Sequence, residues 1–300
     1  LPFAHGEVVV QGLGDGCFEG LDVVIVDVDD PLALEWAPRA AAAGALVVDN
    51  SAAFRMDPDV PLVVAEVNPE DLAMLPKGIA SCPNCTTMVL LTALSPLQRA
   101  AGIKRLVVST YQSVSGAGQA GITELEQQWR KSGDELADLR RAGAAGPLPA
   151  GDVWSKPIAG NVIPLAGSRQ EAGYTSEEWK LVRETRKILH DESIAVTATC
   201  VRVPVFVGHA MAANVELRRP MGREEALRLL ASAPGVLLDE DGMGAPTPLD
   251  GAGIDPVLVG RVREDPSLPG ALDLWVTGDN LRKGAALNAV QMAEMLLAGR

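Results

Sequence analysis

The sequence predicts an α/β fold in which a doubly wound parallel-sheet domain is joined to an α+β domain with a mixed sheet. A βαβ unit indicates the parallel sheet, because apolar strands at 21–28 and 45–49 flank a helix at 32–43. Unbroken apolar runs of this kind are typical of strands that are buried on both faces. After residue 85 the predicted strands are longer, and hairpins or long excursions separate them, which favours the α+β domain.

The elements of the first domain are bounded by turn and stop signals. Gly44 ends the first helix, and Pro83 forces a turn before the second. The Gly-rich run 12–16 precedes the βαβ unit and is interpreted as a hairpin turn. The other predicted elements here are strands at 61–65 and 78–82 and a helix at 86–97.

The second domain is predicted to combine long strands with amphipathic helices. The stretch 142–157 is rich in Gly, Ala and Pro and is interpreted as a long excursion, either a dimer arm or a lid. The predicted strands are 104–110, 194–204, 214–219, 257–262 and 272–277. The predicted helices are 122–141, 177–190, 224–233 and 282–297.

Composition disfavours several classes of partner and location. The chain has 300 residues and a net charge of −13, and such an acidic surface repels nucleic acids and anionic membranes. No apolar run reaches transmembrane length, and no signal peptide is evident. Four cysteines without an evident pairing pattern favour a reducing, cytoplasmic setting.

Cys85 is the strongest candidate for a reactive group because it is predicted to lie at a helix N-terminus. Unpaired backbone N–H groups and the helix dipole stabilise a thiolate there, and a thiolate attacks carbonyl carbons. The alternative is a buried cysteine that serves as a small apolar side chain. Cys82 also forms a C-x-x-C pair with Cys85, but Cys17 and Cys200 stand alone, so no metal site is expected.

The run 116–121 matches the pattern G-x-G-x-x-G between a strand and a helix. It lies in the middle of the chain, and no second strand ending in an acidic residue follows at the required distance. A loop that shapes a substrate or nicotinamide pocket is therefore favoured over a dinucleotide fingerprint.

Several charged residues are candidates for acid–base work or anion binding. His209 follows Gly208 near a strand end and is a candidate general base, although a satisfied core or surface histidine is the alternative. Arg202 lies within an apolar strand, where either a substrate carboxylate or an internal acid must pair with it. Arg55 follows the end of a parallel strand, where α/β sheets bind ligands. On spacing alone, Glu177 and Lys180 form an ordinary helix pair.

Specific motifs occur along most of the chain. They are V-V-D-N-S-A-A-F-R-M-D (47–57), L-V-V-A-E-V-N (62–68), C-P-N-C-T-T (82–87), V-S-T-Y-Q-S-V-S-G-A-G (108–118), I-A-G-N-V-I-P (158–164), E-E-W-K (177–180), T-A-T-C-V-R-V-P-V-F-V-G-H (197–209), D-P-V-L-V-G-R-V-R (255–263) and D-N-L-R-K-G-A-A-L-N-A-V-Q (279–291). In these motifs and in their order, the chain resembles the aspartate-β-semialdehyde dehydrogenases.

The resemblance implies a role for each candidate. Cys85 is the nucleophile that forms a thioester, His209 is the acid/base, and Gln112 orients the substrate. Arg202 binds the substrate carboxylate. The phosphate contacts implied are Arg55, Asn84 and Lys180, with Glu177 as a supporting neighbour. The cofactor contacts implied are Ser115, Gly116 and Asn280.

The resemblance also implies a reaction and an assembly. The reaction is L-aspartate 4-semialdehyde + phosphate + NADP⁺ ⇌ 4-phospho-L-aspartate + NADPH, which belongs to lysine, threonine, methionine and diaminopimelate biosynthesis. A homodimer or homotetramer is expected, without nucleic-acid or membrane partners. Residues 1–84 and 279–300 would form the nucleotide-binding domain, and 85–278 the catalytic and dimerisation domain.

Two departures from the family concern the cofactor. The family's first strand, Gly-rich loop, helix and second strand have no counterpart before Leu21, so we expect a truncated nucleotide-binding domain. Small residues of the family are replaced by Asp27-Val28-Asp29-Asp30-Pro31, and carboxylates at this turn repel phosphates. Binding of NADP is therefore expected to be poor, and a non-catalytic paralogue that acts as a binding partner is the alternative. The related N-acetyl-γ-glutamyl-phosphate reductases lack T-Y-Q-S-V-S-G-A-G and E-E-W-K and are disfavoured.

Overall fold

A computed structural model describes residues 2–3, 6–142 and 150–299. The strands are β1 (Pro2–Phe3), β2 (Gly6–Glu7), β3 (Val23–Val26), β4 (Leu46–Asp49), β5 (Ile79–Ser81), β6 (Ile103–Gln112), β7 (Ala195–Arg202), β8 (His209–Leu217), β9 (Val236–Leu238), β10 (Val257–Glu264) and β11 (Ala271–Gly278). The helices are α1 (Asp30–Ala42), α2 (Cys85–Ala101), α3 (Gly118–Ala142), α4 (Ser176–Ile188), α5 (Arg223–Ala231), α6 (Pro248–Gly251) and α7 (Leu287–Ala298). None of the helices in these ranges is long and apolar enough to cross a membrane.

The small sheet is parallel, has the order β3-β4-β5, and carries helices on both faces. Successive residues of β4 point to opposite faces, so Val47 packs against Ala37 of α1 while Val48 packs in the cluster of Met292 from α7. Apolar residues on both faces explain the unbroken apolar run of β4. The run at 21–28 is not buried in the same way, because β3 is an edge strand and its Ile25 is 46% exposed. The predicted α/β fold is confirmed.

The large sheet is mixed and has the order β7-β6-β8-β11-β10-β9. The pairs β6–β7 and β9–β10 are parallel, and the other pairs are antiparallel. Helices α2, α4 and α5 contribute Leu94, Leu181 and Leu230 to the core cluster against one face of this sheet. The predicted mixed sheet is therefore confirmed.

The predicted strand at 61–65 is wrong. Only a single bridge, Leu62 with Ser81, links this segment to the small sheet. The Asn68 side chain hydrogen-bonds two backbone groups that would otherwise pair with a neighbouring strand. Its Oδ1 accepts from Val64 N at 3.0 Å, and its Nδ2 donates to Leu62 O at 2.9 Å. A side chain that hydrogen-bonds nearby backbone in this way competes with a β-ladder.

The predicted hairpin turn at 12–16 is also wrong. Strand β2 pairs with β1 and strand β3 pairs with β4, so the run does not connect two paired strands. The described part of the excursion lies against α3, where Glu124 accepts from Val153 N at 2.7 Å. Residues 143–149 lie outside the described ranges, and the arm or lid stays a prediction.

The predicted helix at 282–297 has two parts. A π-helical turn spans Arg282–Ala286, and α7 follows it. The turn brings Gly284 so close to Cys85 that an added Cβ would lie 3.0 Å from the cysteine Cβ. Buried Lys283 in the same turn bonds to Glu66 and to Gln291.

Candidate active site

The candidate site lies where β6, β7 and β8 reach the N-terminus of α2. Gln112 and Arg202 are paired at the ends of the parallel strands β6 and β7, and His209 begins β8 beside them. The N-cap of α2 is Asn84, whose Oδ1 accepts from Thr86 N at 3.0 Å. Cys85 therefore lies at the N-terminus of α2, as the sequence predicted, although the helix starts one residue earlier than predicted and continues to Ala101.

Cys85 and His209 form a close pair. The cysteine Sγ lies 3.2 Å from Nε2 of the histidine. His209 is fully buried, and the backbone N and the Oγ of Ser113 each lie 3.1 Å from its Nδ1. Ser113 thereby fixes the orientation of the imidazole ring, so that Nε2 points to the thiol.

The pKa values of this pair differ from the sequence-based expectation. Desolvation raises the pKa of Cys85 to about 11, the Glu177 carboxylate adds to that rise, and Arg202, Arg55 and Lys180 oppose it. Burial and the nearby Arg202 charge lower the pKa of His209 to about 3. The expected stabilisation of a thiolate by the helix N-terminus is therefore wrong for the free site, where burial dominates. Thiol and imidazole are both uncharged at neutral pH.

A cavity of about 390 Å³ opens beside Cys85. Nine of the residues predicted from the sequence line it: Arg55, Asn84, Cys85, Ser115, Gly116, Glu177, Lys180, Arg202 and Asn280. His209 reaches the site through its contact with Cys85. Gln112 is fully buried beneath the site, and its Oε1 has no hydrogen-bond partner among the described residues.

Three cationic side chains border this cavity. Arg202 donates from Nη1 to Ser113 O at 3.0 Å, and the described residues offer it no ion-pair partner. Lys180 pairs with Glu177 at 2.5 Å, and Glu177 also accepts from Asn84 Nδ2 at 3.0 Å. Desolvation raises the pKa of Glu177, but the Lys180 charge and hydrogen bond, with Arg202, outweigh it and the pKa is lowered.

The Gly116 side of the cavity is built by close backbone approach. A Cβ at Gly116 would lie 2.7 Å from Arg202 Nη1 and 3.2 Å from His209 Cε1. Nearby, Asn280 Nδ2 donates to Ser115 Oγ at 3.0 Å, and Asn280 Oδ1 accepts from Gly208 N at 2.9 Å. The glycine keeps this wall flat and open.

Sequence reasoning missed two buried side chains of the site. Ser113 had no sequence signal beyond its place after a strand. Glu184 lies on α4 in the same stripe as Glu177 and Lys180, at i+4 from the lysine, and this spacing was a usable signal. Burial raises the pKa of Glu184, while the Arg55 charge and the Asn84 N–H oppose the rise.

At the other end of the cavity, carboxylates surround the start of α1. Asp29 is the N-cap and accepts from Leu32 N at 3.3 Å. Asp30 accepts from Ala52 N at 2.8 Å, and Asp27, which lines the cavity, accepts from Asn50 Nδ2 at 2.9 Å. These bonds tie the turn after β3 to the loop after β4.

Comparisons with known proteins agree with this architecture. A family model described as the NAD binding domain of semialdehyde dehydrogenase matches residues 3–75, and one described as the semialdehyde dehydrogenase dimerisation domain matches 94–283. An aspartate-semialdehyde dehydrogenase from Streptomyces akiyoshiensis is 47% identical over 293 residues, which are 97% of this chain and 86% of the relative. One from Aquifex aeolicus is 44% identical over 99% of this chain and 86% of the relative.

Solved structures give the same result. Aspartate semialdehyde dehydrogenase II from Vibrio cholerae, complexed with ASA, matches with a TM-score of 0.87 and 45% identity over 96% of this chain and 83% of that one. The enzyme from Candida albicans, solved with NADP, matches with a TM-score of 0.68 and 27% identity over 92% of this chain and 77% of that one. On fold, site and sequence together, the chain belongs to the aspartate-semialdehyde dehydrogenase family.

Proposed function

We propose that the chain interconverts L-aspartate 4-semialdehyde and phosphate with 4-phospho-L-aspartate, using NADP and a thioester on Cys85. The 3.2 Å contact between Cys85 Sγ and His209 Nε2, beside a cavity bordered by three cations, carries this proposal. A thiol next to a base is the arrangement that covalent acyl transfer requires. The cations suit the two anionic groups of the acyl phosphate.

In the oxidative direction, Cys85 Sγ bonds to the aldehyde carbon, and its proton passes through His209 Nε2 to the carbonyl oxygen. His209 would then take the hydroxyl proton at Nε2, in the tautomer whose Nδ1–H donates to Ser113 Oγ, and a bound nicotinamide cofactor would supply the hydride acceptor, which leaves the thioester. A phosphate oxygen attacks the thioester, the C–S bond breaks, and the proton on Nε2 returns to Sγ. Burial keeps His209 uncharged at physiological pH, so its Nε2 is able to accept a proton in this tautomer.

The cationic side chains bind different anionic groups of the substrates. Arg202 binds the α-carboxylate through its guanidinium fork, and Arg55, Lys180 and Asn84 hold the phosphate. Glu177 supports the last two through its bonds to both. The family resemblance implies that Gln112 orients the substrate near the thiol; in this structure it is fully buried and does not line the cavity, and its unpaired Oε1 is the atom free for that role.

The residues at the Gly116 wall suit the nicotinamide end of the cofactor, which supplies the hydride acceptor when bound. The absence of a side chain at Gly116 leaves a flat wall beside Cys85 and His209, and Ser115 and Asn280 offer polar groups there. The carboxylates at the start of α1 do not suit the cofactor phosphates. This observation keeps a second candidate open, a family member that binds substrate without turnover.

We also propose the assembly and domain division. Residues 1–84 with 279–300 form the nucleotide-binding domain, and 85–278 form the catalytic and dimerisation domain. The family model over residues 94–283 supports a homo-oligomer, and a homodimer or homotetramer is expected. All four cysteines are free, which agrees with a cytoplasmic location.

The decisive experiment is an assay of the purified chain with L-aspartate 4-semialdehyde, phosphate and NADP⁺. Formation of reduced cofactor that depends on both phosphate and Cys85 would support the enzyme. Trapping of radiolabelled acyl phosphate as a thioester, without cofactor turnover, would favour the second candidate. Absence of both turnover and thioester would reject the enzyme, and absence of substrate binding in a calorimetric titration would reject the second candidate as well.

A further inference from the structure

Arg55 is held rigidly by acceptors of the protein. Its Nε donates to Ser51 O at 3.0 Å, its Nη2 donates to Asn50 O at 3.1 Å, and its Nη1 donates to Glu184 Oε1 at 3.3 Å. A guanidinium has five N–H donors, so one on each terminal nitrogen has no acceptor in the described ranges. Such a neighbouring pair is the donor set that binds an oxyanion in bidentate fashion.

The other oxygen of Glu184 holds the segment that precedes the nucleophile. Its Oε2 accepts from Asn84 N at 2.7 Å, and the two oxygens of one carboxylate therefore join Arg55 to the start of α2. Glu184 is only 2% exposed, so water cannot replace either bond. The three residues lie on separate segments of the chain, and Glu184 contacts both of the others.

A second contact from α4 supports the same loop. Lys187, one turn beyond Glu184, donates from Nζ to Arg55 O and Asp57 O at 2.7 Å and to Val60 O at 2.8 Å. The side chain and the backbone of Arg55 are thus both fixed by one face of α4. The same face carries Lys180, which borders the cavity.

We propose that Glu184 is a positioning residue for phosphate binding. Its carboxylate holds the side chain of Arg55 and the backbone of Asn84, so that the free Arg55 donors and the Asn84 side chain bind the same phosphate. The inference rests on the proposed function, because it takes phosphate as the ligand of Arg55. Glu184 itself does not line the Cys85 cavity and acts through its two neighbours. Its negative charge also balances buried Arg55, so that the guanidinium stays in place when the cavity is empty.

The test compares Glu184→Gln with Glu178→Gln. Glu178 lies on the same helix, is 8% exposed, and also accepts from two donors, which are the backbone groups Thr175 N at 2.8 Å and Cys200 N at 3.0 Å. It does not line the cavity. The two variants therefore remove equivalent buried carboxylates, one joined to the anion donors and one not.

Isothermal titration with inorganic phosphate is the main measurement. We expect Glu184→Gln to bind phosphate about tenfold more weakly or worse, a change of about 1.4 kcal/mol, because a glutamine can accept from only one of the two donors. Glu178→Gln should stay within about twofold of the wild type. In steady-state assays the KM for phosphate should rise in Glu184→Gln, while the KM for the semialdehyde changes much less.

A second variant keeps the test sound if Glu184→Gln fails to fold. Glu184→Asp keeps the charge but is one methylene shorter, so it reaches Arg55 or Asn84 but not both, and phosphate binding should weaken severalfold. Equal phosphate affinity in the Glu184 variants and the wild type would overturn the inference. Equal weakening in Glu178→Gln, or no phosphate binding by the wild type, would overturn it as well. A chain that binds phosphate in this pattern but does not turn over would reject the proposed function and leave the role of Glu184 intact.

Discussion

The two ends of the cavity use charged residues in opposite ways. At the Cys85 end, buried acceptors hold Arg55 and Arg202, and donors of these side chains remain for a ligand. At the α1 end, Asp27 lines the cavity, and Asp29 and Asp30 lie close behind it and accept from the backbone N–H groups of Leu32 and Ala52. The first arrangement is organised for anions and the second repels them. We therefore expect that chemistry on the substrate and affinity for the cofactor phosphates can be changed separately in this chain.

The largest effect should come from removing the nucleophile. Cys85→Ser should lower turnover by at least about a thousandfold, as loss of a covalent nucleophile does in other enzymes. Iodoacetamide labelling followed by peptide mass spectrometry should locate the modification at Cys85. Cys82→Ser is the matched control, because Cys82 is fully buried beside Met292 and Asn288 and should label slowly. Faster labelling of Cys82 would reject Cys85 as the reactive thiol.

The second prediction concerns the pH dependence of that labelling. Because the pKa of Cys85 is raised to about 11, the thiolate fraction rises about tenfold per pH unit below that value. The rate of alkylation should therefore increase by about a hundredfold between pH 7 and pH 9, without a plateau. Free cysteine, with its lower pKa, is the reference and should level off earlier. A plateau near pH 7 would show that the anion-binding end stabilises the thiolate after all.

The third prediction concerns a substitution that weakens anion binding at the Cys85 end of the cavity. Arg202→Leu should lower kcat/KM by about ten- to a hundredfold, which matches a loss of about 1.5–3 kcal/mol for charge-assisted hydrogen bonds. Arg218→Leu is the control, because its exposed pair with Asp191 lies away from the cavity. Unchanged kinetics for Arg202→Leu would remove this residue from the substrate site.

The smallest effect should come from the α1 end. Calorimetric titration should show that NADP⁺ binds more weakly than micromolar, and Asp29→Ser with Asp30→Asn should strengthen binding severalfold. Each removed charge near a helix N-terminus is worth about 0.3–1 kcal/mol. Asp29→Ser keeps an N-cap oxygen, Asp30→Asn keeps an acceptor for Ala52 N, and Glu35→Gln later in α1 is the control. Micromolar binding by the wild type would show that the carboxylates do not set the cofactor affinity.

Local signals in the sequence predicted most of the fold. The start of α2 followed from Pro83 and the apolar run after it, and the strands of the small sheet followed from their unbroken apolar character. The segment 61–65 has the same composition, but Asn68 binds its backbone groups, and such a competing side chain has no periodic signature. Composition alone therefore could not separate this segment from a strand.

The site was harder to predict, because its properties depend on packing between distant segments. The family motifs predicted that Cys85, His209 and Arg202 belong to one site, and the structure places the first two in contact. The direction of the Cys85 pKa was mispredicted, because local position suggests the helix dipole while burial comes from residues far along the chain. The spacing of Glu184 from Lys180 marked its helix face, but its role could not be predicted because its partners lie at residues 55 and 84.

Helix α7 has a consequence for how the chain folds during synthesis. It is translated after every other element that the structure describes, yet Ala289, Met292 and Leu296 cover one face of the small sheet around Val48 and Ala80. That face stays uncovered until α7 has emerged from the ribosome. By then all strands of the large sheet have already been synthesised. Contacts between such distant segments form late and slowly, and the uncovered apolar face is the part of the nascent chain most exposed to aggregation. A chaperone that recognises newly made copies of this protein is therefore expected to bind β4 and β5.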